Sequence, residues 1–166
     1  ANLIDDPRFM LIRHNFRYLK NFLRYYGVEK VDGILADLGV SSHDFDDAER
    51  GFSFRFDTPL DMRMNRDAAL TAAEVVNQYE EQELITLFRE FGEIPNAGRL
   101  ASLIVTGRSR SEIATTGQLV TAIERCVPKA AEKKYLARVF QALRMEVNDE
   151  MTVLGEFLLA SLDVLK

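Results

Sequence analysis

Val28-Glu29-Lys30-Val31-Asp32-Gly33-Ile34-Leu35-Ala36-Asp37-Leu38-Gly39-Val40-Ser41-Ser42 is the stretch on which the reading of the fold turns. Ile34, Leu35 and Ala36 are consecutive and apolar with no helical period, as in a strand covered on both faces. Residues 31–40 are therefore expected to form a buried strand that delivers Asp37 into a loop. Gly39 lets backbone approach a ligand there, and Ser41 and Ser42 add hydroxyls.

Upstream, residues 17–27 carry Leu19, Phe22, Leu23 and Tyr26 at helical spacing and close on Gly27, which predicts an amphipathic helix. Residues 8–16 turn from apolar to polar after Asp6-Pro7, as a strand following a turn does. Strand, helix and strand make one βαβ unit, with parallel strands and a right-handed crossover. Ligands of open α/β sheets bind at the carboxyl ends of the strands, where Asp37 falls. A strand-end aspartate also caps local turns, so position alone leaves both roles open.

Downstream, residues 41–65 show no clean period, and a loop this long in a compact domain has a binding or catalytic use. Helices follow. Thr71-Ala72-Ala73-Glu74 and Thr115-Thr116-Gly117-Gln118 both have capping-box spacing. Leu84, Leu87, Phe88 and Phe91 stripe a helix ended by Gly92, and Leu100, Leu103 and Ile104 another ended near Gly107. Leu119, Ala122 and Ile123 mark a third, which Pro128 prevents from continuing. Leu136, Val139, Phe140, Leu143 and Val147, then Leu154, Leu158, Leu162 and Leu165, belong to one long helix or to two, broken near Asn148. The expected organisation is a partial α/β domain over 1–61, a helical domain over 62–141 and a helix over 142–166 that returns to the sheet. A two-strand sheet leaves faces and edges uncovered, so further strands are expected beyond both ends.

Of the 166 residues, 47% are apolar and 28% charged, which excludes a disordered or fibrous chain. No apolar run approaches the ~18 residues that cross a bilayer. Cys126 is the only cysteine and fits a reducing compartment, so a soluble, cytoplasmic protein with no membrane partner is expected. Asp44, Asp46, Asp47 and Glu49 lack the spacing of a calcium loop and no His/Cys set suits zinc, so no metal is expected. The net charge of −5 is unevenly spread: residues 37–93 hold 14 acids and 5 bases, residues 99–144 hold 9 bases and 3 acids. The second segment suits a polyanion, although solvated helix faces would give the same count. Neither a Gly-x-Ser-x-Gly elbow nor a phosphate-binding glycine loop occurs, which argues against a hydrolase or phosphotransferase.

Three blocks then stand in one order: Asp37-Leu38-Gly39-Val40-Ser41-Ser42, Asp46-Asp47-Ala48-Glu49-Arg50-Gly51-Phe52-Ser53-Phe54 and Pro59-Leu60-Asp61-Met62-Arg63-Met64. With Arg138-Val139-Phe140-Gln141-Ala142-Leu143-Arg144-Met145 and Val147-Asn148-Asp149-Glu150 they closely resemble the ribosomal RNA small-subunit methyltransferase H family, also called MraW. The resemblance implies a Rossmann-like, S-adenosyl-L-methionine-dependent methyltransferase fold with an inserted all-α domain, of which this mostly helical chain holds part. It implies methyl transfer to the exocyclic N4 of a cytidine in the decoding region of 16S rRNA, with that RNA or the small ribosomal subunit as partner. By the same comparison Phe16, Asp37 and Asp44 are cofactor contacts, Asp44 standing where the family commonly has Gln.

An exocyclic amine is a weak nucleophile whose lone pair is delocalised into the ring, so a site must accept its N–H hydrogen bonds; Asp37 is the candidate catalytic acceptor. Nitrogen attack needs no covalent nucleophile, and Cys126 is expected to be a buried structural residue. Arg99, Arg108, Arg110, Lys133, Lys134 and Arg138 become the candidate RNA-facing set. The family's glycine-rich cofactor loop and a later Gly-Gly-Arg-Leu strand have no counterpart here, so the chain is expected to be an internal fragment, inactive by itself. The competing expectation is a non-catalytic RNA- or protein-binding helical module.

Overall fold

A computed structural model describes residues 6–40 and 50–166. Among the described residues the chain is mostly helical, with seven α-helices: α1 (Leu19–Tyr25), α2 (Ala72–Gln78), α3 (Glu81–Glu90), α4 (Ala97–Arg108), α5 (Thr116–Ile123), α6 (Glu132–Val147) and α7 (Glu150–Val164). No helix among them is long and apolar enough to cross a membrane.

Both capping boxes form. The Thr71 hydroxyl accepts from the Glu74 amide at 3.2 Å while Glu74 accepts from the Thr71 amide at 2.7 Å. Thr115 and Gln118 exchange the same two bonds at 3.2 and 3.1 Å, which satisfies orphan donors at the start of α5. α1 stops as its glycine predicts: Gly27 adopts φ +72° and the Val28 amide reaches back to the Leu23 carbonyl, a Schellman ending.

By contact the chain parts into two compact units, Ala1–Leu38 with Met151–Lys166, and Gly39–Glu150. In the second, α3 packs on α4 and α6, α4 also on α5, and α2 on α4 and α6. Leu84 and Phe88 of α3, Leu100 and Ile104 of α4, and Val139 and Leu143 of α6 are fully buried. Each such side chain contributes about 1.5–3 kcal/mol by leaving water. The unit also takes in Phe52, Leu60 and Met62 from the non-helical stretch before α2. These residues and α6 therefore pack with the helices.

In the first unit, Arg17, in the turn before α1, makes a two-pronged ion pair with Glu156 of α7 at 2.7 and 2.8 Å, and Lys20 of α1 pairs with Asp163 of α7 at 2.6 Å. Phe16 meets Phe157 edge-on at 5.4 Å. Beyond α7 the backbone pairs in parallel with Val31: the Val31 amide donates to the Val164 carbonyl at 2.8 Å and the Lys166 amide to the Val31 carbonyl at 3.1 Å.

That bridge is all that forms of the two strands expected over 8–16 and 31–40. Leu35, expected at the buried centre, is fully exposed at 101%. The correction has a plain cause. A strand needs neighbouring backbone on which to place its N–H and C=O groups, and an apolar run does not supply it.

Candidate functional site

Within the helical unit, residues 50–64 run without regular structure yet are tied down on both sides. Gly51 has φ +70°, and a Cβ there would lie 2.4 Å from the Pro59 carbonyl oxygen, so only glycine lets the two strands of the loop close. The Met62 amide donates to the Arg50 carbonyl at 2.9 Å, and the Leu60 amide to the Ala114 carbonyl at 3.0 Å. Thr58 and Thr116 zip the loop to the start of α5, the Thr116 amide donating to the Thr58 carbonyl at 2.9 Å and the Thr116 hydroxyl to the Phe56 carbonyl at 2.7 Å. Asp57 accepts from the Gly117 amide at 2.9 Å, and hydrogen bonding from Thr115 and Gly117 holds its carboxyl below the usual range.

The far end is held from α6. Asn148 caps that helix; its amide nitrogen donates to the Met62 and Arg144 carbonyls, each at 2.8 Å, and its amide oxygen accepts from the Met64 amide at 2.7 Å. Between these bonds Met62 sits fully buried with φ +62°, a left-handed conformation that a long side chain adopts only when its surroundings impose it. Asp61 and Arg63 flank it in a two-pronged ion pair at 2.8 and 2.7 Å, and that bonding lowers the Asp61 pKa. Arg63 also donates to the Ala68 carbonyl at 2.7 Å.

Between this loop and α6 lies a groove of about 370 Å³. Phe52, Ser53, Phe54 and Arg55 line one side; Ala137, Phe140, Gln141 and Arg144 of α6 line the other. Phe54 and Phe140 meet edge-to-face at 5.5 Å. Arg144 is held by Glu150 at 2.7 and 3.1 Å. Among the described residues the Gln141 amide hydrogen-bonds only to the Met145 sulfur, at 3.7 Å, and the Arg55 guanidinium has no ion-pair partner. Aromatic rings, a carboxamide with both donor and acceptor to offer, and a guanidinium together suit a flat, hydrogen-bonding ligand.

Of the residues singled out from sequence, Phe16 and Asp37 lie in the first unit, where both are exposed. A ring that can pack on a purine and a carboxylate that can accept from an ammonium or hydroxyl are chemically suited to the expected cofactor. Asp44 falls outside the described residues. Lys133 and Lys134 are exposed on α6, on the face that carries Ala137, Gln141 and Arg144, and so flank the groove. Arg110 is exposed. Arg99 donates to the Arg125 carbonyl at 3.1 Å, and Arg138 reaches the Glu93 carbonyl and carboxylate at 3.3 Å. Arg108 has a structural task, donating to the Val76 and Tyr79 carbonyls at the end of α2 at 2.9 and 2.6 Å. Cys126 is buried, its thiol donating to the Ile123 carbonyl at 3.1 Å; burial raises its pKa. No group of three or more His, Cys, Asp or Glu among the described residues could hold a metal ion.

Phe54, Gln141, Arg144 and Asn148 all stand in the signature motifs, but nothing in the motifs alone marks them out as site residues. A signal was present: Ala137, Gln141 and Arg144 recur on the side of α6 opposite its apolar stripe, an exposed place for a carboxamide and a small residue to keep company.

Comparison with known proteins bears on the same stretches. The sequence model of the MraW methylase family matches residues 2–166. Proteins named ribosomal RNA small subunit methyltransferase H are similar to it: that of Bacteroides thetaiotaomicron is 56% identical over 99% of the chain and 54% of its own length. That of Phocaeicola vulgatus is 57% identical over the same shares, and that of Flavobacterium johnsoniae 52% identical over the whole chain and 55% of its own length. The chain thus spans about half the length of these curated relatives. On this match, nearly end to end, the chain belongs to the MraW methylase family.

Proposed function

We propose that the protein carrying this chain methylates RNA of the small ribosomal subunit, at the exocyclic N4 of a cytidine in the decoding region of 16S rRNA. Family membership over residues 2–166 carries this reading. S-adenosyl-L-methionine, when bound, would supply an electrophilic sulfonium methyl; Phe16 would pack against its adenine, and Asp37 and Asp44 would be its polar contacts. Phe16 and Asp37 belong to a Rossmann-like domain into which the helical unit is inserted. Asp37 also accepts an N–H of the target amine, which localises the nitrogen lone pair for attack. The helical unit presents the RNA surface, with Lys133 and Lys134 beside the groove and Arg99, Arg110 and Arg138 on its other faces, their charge replacing counterions on phosphates.

The test is transfer of a labelled methyl from S-adenosyl-L-methionine to small ribosomal subunits, followed by nucleoside analysis. Label on cytidine N4 is expected; label on another atom, or none, overturns the reading. RNA binding without transfer would leave the non-catalytic module in its place. Asp37→Ala is expected to lower kcat by roughly 10²-fold or more, measured in the same assay.

A further inference from the structure

Resting on that reading, we infer that the groove between residues 52–55 and α6 receives one unpaired base of the RNA strand. Three observations carry it. The half-buried ring of Phe54 stands at the groove wall over the buried Phe52 and Phe140, and the groove's volume of about 370 Å³ falls within the range of small-ligand sites, ~300–1,000 Å³. At its rim the Gln141 carboxamide keeps its hydrogen-bonding capacity almost unspent, its one hydrogen bond among the described residues being to the Met145 sulfur at 3.7 Å. Such an amide can donate and accept at once, which is what a base edge asks for and a phosphate does not.

The third observation is charge. Lys133 and Lys134 stand about two helical turns before Gln141 on the same side of α6, and Arg55 faces the groove from the loop without an ion-pair partner among the described residues. A backbone laid along these cations brings its base against Phe54, the combination by which single strands are held: charge along the path, an aromatic contact and amide contacts at the base. Arg144, fixed by Glu150, closes the end of the groove. Duplex RNA offers no splayed base and does not fit this arrangement.

The test is fluorescence anisotropy of the 166-residue chain with a single-stranded pyrimidine RNA of about nine nucleotides, beside the same RNA carrying one abasic position at its centre. The intact strand is expected to bind about tenfold tighter. Gln141→Leu, at an exposed position where folding is not at stake, is expected to remove most of that preference while leaving the salt dependence unchanged. Equal binding of intact and abasic strands, or full preference retained in Gln141→Leu, overturns the groove assignment while RNA binding stands. No binding of either strand overturns it too; if the labelled-methyl assay is also negative, the functional reading itself has failed.

Discussion

At the scale of single residues, the Asp57–Gly117 contact is one of the bonds that dock residues 56–60 on the start of α5. A Cβ on Gly117 would come within 2.7 Å of the Asp57 carboxyl, and that carboxyl already fills the place a clash would have to vacate. Gly117→Ala is expected to push the exposed Asp57 side chain aside and forfeit its hydrogen bond, a loss of about 0.5–1.5 kcal/mol set against the better helix propensity of Ala, read from urea denaturation. In an Asp57→Ala background the cost should largely vanish, since the clashing atoms are gone. Asn148 offers a second case: with three hydrogen bonds on one side chain, Asn148→Ala is expected to cost about 2 kcal/mol, and Asn148→Asp, which keeps the acceptor but not the donors, to recover only part. Asp61 and Asp57 have depressed folded-state pKa values, Asp61 chiefly through Arg63 and Asp57 through Thr115. Their contribution is therefore complete above the unfolded carboxylate value of about 4 and is lost as pH falls through the lower folded values. Stability plotted against pH should bend downward below about pH 4, and less steeply in Asp61→Asn.

At the scale of elements, α2 depends on its cap: Thr71→Ala removes one half of the box and is expected to cost about 1 kcal/mol, measured by thermal unfolding. The helices of the Gly39–Glu150 unit were legible because each signal was local. A stripe such as Leu84, Leu87 and Phe88, or a Thr followed three places on by Glu or Gln, needs nothing from the rest of the chain. The strands were misread because their partners are not local, so Leu35 carried the right composition and none of the required neighbours. α7 falls between these cases. Its leucine repeat was seen, yet the structure buries Val153, Phe157, Ser161 and Val164 and leaves Leu158, Leu159 and Leu162 exposed, because a helix apolar on most sides is oriented by contacts and not by its period. Of the candidate site, the signature blocks were legible as words, but the groove was not: it exists only where residues 52–55 meet α6, which stands more than eighty positions later.

At the scale of the whole molecule, Gly39–Glu150 contains its own core and its own caps, so it is expected to fold without the rest. Expressed alone, it should unfold in one cooperative urea transition; a non-cooperative loss of helical signal would show that it leans on the other residues.

The parallel pairing of Val31 with Leu165 carries a last consequence. The neighbouring ion pair of Asp32 with Lys166 joins positions 134 residues apart, and most of the intervening chain is the compact Gly39–Glu150 unit. Closing so long a loop in an unfolded chain is entropically costly, but a collapsed insert shortens the effective span. Refolding should therefore be sequential: a fast phase as the insert collapses, then a slower one, reported by hydrogen-exchange protection of the Val31 and Lys166 amides, as the two distant pieces of backbone find each other.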